Sequence, residues 1–93
     1  MARNWDDLRV SAHHWAKANV GCSVKIEGPY LGDSCVFVMI DEDEQETARI
    51  EVSDAGEFQG RPMMLVKQDH PAANGIETFV QAEPDVLVRF LYI

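Results

Sequence analysis

The side chains able to do chemistry in this chain are three histidines, two cysteines and sixteen carboxylates, and only the carboxylates are arranged unusually. Eight of them, Asp41, Glu42, Asp43, Glu44, Glu46, Glu51, Asp54 and Glu57, fall in one stretch whose single basic residue is Arg49. That stretch carries −7 of a formal net charge of −8, so the remainder of the chain is close to neutral.

Crowded carboxylates can hold a hard cation, repel polyanions or meet a cationic surface. Asp41, Asp43 and Glu44 could offer oxygens to Ca²⁺, but the calcium-loop pattern with its glycine at mid-loop is missing, so no metal is expected. The acidic excess disfavours nucleic acid and anionic membranes as direct partners. A basic surface on another macromolecule is favoured by it, because opposite charge speeds encounter and fixes register. The alternative is plain hydration, in which a charged loop keeps a small protein soluble and guards against edge-to-edge association. Adjacent carboxylates repel by roughly 1 kcal/mol at about 4 Å in water, so the cluster opposes folding slightly.

The remaining candidates have ordinary explanations. His13 and His14 are neighbours on a predicted helix, point about 100° apart and cannot chelate together as an i, i+4 pair would, so both are expected at the surface. His70 follows Asp69 in a turn-rich segment and is expected to be loop chemistry rather than an oriented base. Cys35 has no helix N-terminus or cation beside it to lower its pKa and is expected to be a small core residue. Two cysteines are too few for a disulfide framework and are expected to be reduced. Catalytic residues, cofactors and a metal are therefore not expected, and the chain is expected not to be an enzyme.

The elements that position these residues follow from periodicity. Asn4 can cap a helix over about residues 5–19, with Asp6 and Asp7 in its first turn and Gly21 as its stop. Trp5, Leu8, Ala12, Trp15 and Ala16 fall within about 100° of one another, which gives that helix one apolar face. Alternation or continuous apolar runs predict strands over about 22–27, 35–40, 47–52, 62–67, 76–82 and 86–92, with a further short strand around Phe58. Turns are supplied by GPYLGD, SDAGEFQGRP, QDHPAANG and AEPD. Strands joined by short turns with no helix between them predict an antiparallel meander. The fold class is then α+β: one N-terminal amphipathic helix packed on a curled, mainly antiparallel sheet of five to six strands, all in a single domain over 1–93.

Several details follow from that layout. If 35–40 and 47–52 pair as a hairpin, DEDEQE forms its tip and the other carboxylates flank it at one end of the molecule. In a hairpin of 22–27 with 35–40, Glu27 lies near Cys35 and Cys22 sits on the order of 17 Å away, beyond disulfide reach. Trp5 and Trp15 belong to the core. One of Met63 and Met64 must face away from it, where an exposed methionine beside Phe58 or Tyr30 would make an adaptable patch. The final stretch, VLVRFLYI, has two apolar faces and so needs two covers, either as a central strand or as a strand whose Leu87 and Leu91 meet a partner.

No apolar run approaches the roughly 20 residues that span a bilayer, and the first residues lack a secretory apolar core, so the chain is expected to be cytoplasmic. Size and charge together predict a non-enzymatic interaction domain. It would inhibit a larger protein with a basic or nucleic-acid-binding surface, as small acidic immunity proteins and phage anti-CRISPR inhibitors do. The alternative is a homodimeric assembly or small-ligand-binding domain in which the acidic loop serves only solubility.

Overall fold

The computed structural model describes residues 5–27, 34–68 and 77–92. The chain order is α1 (Trp5–Asn19), β1 (Ser23–Glu27), β2 (Ser34–Ile40), β3 (Glu46–Phe58), β4 (Arg61–Gln68), β5 (Glu77–Gln81) and α2 (Pro84–Tyr92). The strands form one sheet in sequential order, β1-β2-β3-β4-β5, and every neighbouring pair is antiparallel. This is the α+β meander that the turn spacing predicts, with five strands and an open, unclosed sheet. Asn4, the GPYLGD turn with Tyr30, the segment holding Asp69 and His70, and Ile93 lie outside the described residues.

Both helices cover the same face of the sheet. From α1 come Trp5, Leu8, Ala12 and Ala16, and from α2 Leu87, Val88 and Leu91. Beneath them lie Cys35, Phe37 and Met39 of β2, Ile50 and Val52 of β3, and Met64 and Val66 of β4. These positions alternate along each strand, so the two-residue period decides which side chains are dry. Trp5 meets Phe37 edge to face, with ring centroids 6.1 Å apart, and ties the first turn of α1 to the second strand. Trp15 is partly buried against the same cluster.

The C-terminal stretch is a correction. Residues 86–92, predicted as a strand, are helical, because Leu87, Val88 and Leu91 recur at helical spacing and meet the core on one side. AEPD is not a hairpin turn but the start of this helix. Pro84 takes the first helical position, where its missing N–H costs nothing, Asp85 follows in the first turn, and Leu87 N–H donates to Glu83 O at 3.0 Å. The helix also removes the problem of two apolar faces. Leu87 and Leu91 are core residues, not a partner surface, while Tyr92 is exposed.

A second correction concerns the methionines. Met64 faces the helices and Met63 the opposite side, but Met63 is buried as well, with 7% of its surface exposed. The exposed apolar residues of that open face are Phe58 and Phe79, whose rings meet edge to face at 6.5 Å.

One edge of the sheet is closed by a side chain. Val24 N–H, on the outer edge of β1, donates to His13 Nδ1 at 3.2 Å. His13 is thus a structural acceptor rather than a free surface histidine, whereas His14 is exposed. An acceptor nitrogen must be unprotonated, and burial, with Lys17, His14 and Arg9 adding repulsion, lowers the His13 pKa from its ordinary 6.5. Because the folded value lies below the unfolded one, the bond stabilises fully above about pH 6.5 and is lost as pH falls through the folded pKa. A His13→Ala variant should be about 0.5–1.5 kcal/mol less stable at neutral pH, and that gap should close on acidification. Urea melts of both proteins between about pH 7 and pH 5 check this, and a pH-independent gap would count against it.

Candidate acidic interface

The acidic tip is built from the inside outward by Asp41. Its Oδ1 accepts from the backbone N–H groups of Asp43 and Gln45, each at 2.9 Å, so this carboxylate is spent on the turn. Glu44 N–H donates to Asp41 O at 3.1 Å and Asp41 N–H donates to Gln45 O at 3.0 Å, which closes a three-residue loop, 42–44, within the connection from β2 to β3. Such loops place their third residue in the left-handed region, and Glu44 has φ of 62°. Glycine is the easy residue there, so the loop carries an acid where backbone energetics favours none. Replacing Glu44 with glycine should raise stability by on the order of 0.5–1 kcal/mol, net of the extra unfolded-state entropy, as measured by urea denaturation.

The side chains then divide. Glu42 turns toward the end of α1, and its Oε1 lies 3.3 Å from where a Cβ on Gly21 would stand. Gly21 itself has φ of +71° and terminates α1. Asp43 and Glu44 are exposed at the tip. Glu46, at the start of β3, accepts from Arg49 Nε at 3.0 Å, and that hydrogen bond holds its carboxyl below the ordinary range. Arg49 also reaches across to β1, with Nη1 donating to Glu27 Oε2 at 3.3 Å. This network, which joins β3 to β1 across β2, lies on the face away from the helices. Val38 sits there between Lys25 and Arg49 in register and is only 2% exposed.

The eight predicted site residues do not share one end of the molecule, which corrects the expectation that all flank the tip. β3 is 13 residues long, and Glu57 lies at its far end beside the tight β3–β4 turn. At about 3.3 Å per residue, Glu46 and Glu57 are on the order of 35 Å apart along the strand. Between them, Glu51 is exposed opposite Lys67 in register. Asp54 occupies the bulge, its Oδ1 accepting from Gly56 N–H at 2.9 Å. The structure therefore brings together Glu42, Asp43 and Glu44, flanks them with the internally engaged Asp41 and Glu46, and leaves Glu51, Asp54 and Glu57 strung along the strand. Among the described residues, the carboxylates of Glu42, Asp43, Glu44, Glu51 and Glu57 make no ion pair.

Sequence reasoning passed over Phe79. It alternates with Thr78 and Val80 in β5, and a phenylalanine on the wetter phase of a two-residue alternation was the available signal. It is half exposed.

The other chemically capable groups are quiet. Cys22 and Cys35 are both free, and burial pushes the Cys35 thiol up to about 12, the opposite of an activated nucleophile. A cavity of about 220 Å³ is lined by Cys22, Met39, Thr47, Leu91 and Tyr92. Two of its polar groups are engaged locally: Cys22 Sγ donates to Val20 O at 3.6 Å and Thr47 Oγ1 to Met39 O at 3.3 Å. Among the described residues no three His, Cys, Asp or Glu side chains gather as a metal site, and no helix is long and apolar enough to cross a membrane. Comparison with protein-family models, with characterised proteins and with solved structures gives no match for this chain.

Proposed function

We propose that this protein is a non-enzymatic inhibitor or immunity-type interaction domain. Its β2–β3 acidic tip occupies a basic or nucleic-acid-binding surface of a larger protein, as toxin-immunity and anti-CRISPR proteins do. The observation that carries this reading is the placement of Glu42, Asp43 and Glu44. They stand together on a hydrogen-bonded loop at one end of a hairpin, without ion pairs among the described residues, in a chain whose net charge of −8 lies almost wholly in that hairpin and its strand. Asp41 and Glu46 support them, the first by fixing the loop and the second by anchoring its exit to Arg49. The tip carboxylates take positions where phosphates would otherwise sit, pairing with Lys or Arg of the target.

A competition experiment tests the proposal. A target bound by the wild-type chain should be displaced by heparin or duplex DNA. It should also bind poorly to the Glu42→Gln, Asp43→Asn, Glu44→Gln variant. A target that ignores both the polyanion and the substitutions would show that the tip is not the contact.

A further inference from the structure

The two edges of the sheet are treated differently. At β1 the backbone edge is met by α1 through His13 and carries Lys25 at its centre, both means of blocking further strand addition. At the other side β5, Glu77–Gln81, is the last strand in the sheet order, with no lysine, proline or bulge. Which of its backbone groups are free follows from one bond. Ala82 N–H donates to Pro62 O at 3.0 Å, so Ala82 faces β4. The antiparallel alternation then turns Thr78 and Val80 toward β4 as well, and the N–H and C=O groups of Glu77, Phe79 and Gln81 outward. Gln81 O already accepts from Glu83 N–H at 2.9 Å, whereas Phe79, at the centre, has no backbone partner on its outward side among the described residues.

We infer that β5 is a self-association edge, on which a second copy of this chain adds antiparallel about a twofold axis at Phe79, giving a continuous ten-stranded sheet from two sheets of five. The sequence of β5 fits itself in this register. Phe79 meets Phe79 of the second copy as a hydrogen-bonded pair, Thr78 meets Val80, and Glu77 meets Gln81, so no like charges face each other. The Phe58–Phe79 pair, exposed in one copy, joins its counterpart in a four-ring cluster over the junction, and aromatic pairs of this kind favour strand pairing. A five-residue edge is short, so the dimer is a weak one. This inference does not rest on the acidic-tip reading. The two have opposite salt dependence: each copy carries −8, so screening strengthens the dimer, while it weakens attachment to a cationic target.

Sedimentation of the whole chain, with amide hydrogen exchange, tests it. The mass should rise from 10.5 kDa toward twice that value with concentration, more readily at ~0.5 M than at ~0.05 M salt, and the Phe79 amide should gain protection in step. Phe79→Lys sets two like charges at the axis, and Phe79→Pro deletes an N–H that β4 does not use. Each, confirmed as folded by circular dichroism, should stay monomeric. A wild-type chain monomeric at ~1 mM would overturn the inference, since that corresponds to less than about 4 kcal/mol of association free energy. So would a dimer that survives both substitutions, or Phe79 protection that appears only when a different protein binds.

Discussion

Replacing Phe37 with alanine is expected to lower the unfolding free energy by about 3–5 kcal/mol. Phe37 is wholly buried in the second of five strands, with Ile26 and Ile50 beside it in register and Trp5 on its ring edge. Truncation removes the apolar burial and leaves a cavity under the first turn of α1. That turn cannot collapse into the space without disturbing the packing of Leu8 and Ala12 in the same core cluster. A chain this size has a stability of roughly 5–15 kcal/mol, so the loss leaves a measurable unfolded population. Urea denaturation followed by tryptophan fluorescence reads it directly, because Trp5 reports on the same contact. Phe37→Leu, which keeps most of the volume, should cost markedly less. A Phe37→Ala cost below about 1 kcal/mol would mean that Trp5 does not pack on Phe37 as described.

The second large effect is kinetic. Neutralising Glu42, Asp43 and Glu44 to their amides is expected to slow association with a cationic target by about 10–100-fold at low salt, with little change in dissociation. Each exposed charge contributes modestly at contact in water, but three on one loop project a field that acts before contact, and steering depends on that sum. The wild-type advantage should shrink as ionic strength rises past about 0.15 M, where the Debye length is about 8 Å. Asp41 and Glu46 stay unchanged in this variant for a structural reason. Asp41→Ala would strip two backbone N–H groups of their acceptor, and removing Glu46 would take one of its carboxylate partners from the Arg49 guanidinium that bridges β1 and β3. Stopped-flow association over a salt series measures the effect. Equal rates for the two proteins at low salt would remove steering from the account.

Much of this architecture is legible in the sequence because it depends on local period. α1 follows from Trp5, Leu8, Ala12, Trp15 and Ala16, and the meander from the short turns between runs of period two. α2 is less legible because Val86, Leu87, Val88, Phe90 and Leu91 satisfy an alternating pattern and a helical one almost equally. Pro84 followed by Asp85 does not separate them, since proline at the first helical position is cheap and the same pair also suits a turn. At the tip, the hairpin is predictable but the division of labour among its acids is not. That Arg49 pairs with Glu27, 22 residues away, depends on strand register. The inward commitment of Asp41 depends on the left-handed backbone at Glu44, and the acceptor role of His13 on an eleven-residue return of the chain. Long-range pairing of this kind is set by tertiary packing and not by composition.

The location of the contact decides the central claim. In ¹⁵N-labelled protein titrated with a cationic target, the amide shifts are expected to concentrate at residues 41–46 and at the adjoining end of α1 near Gly21, where Glu42 lies. Shifts confined instead to the β3–β4 turn around Phe58 and Gly60, with the 41–46 loop unmoved, would place the target at the other end of β3 and contradict the assignment of function to the acidic tip.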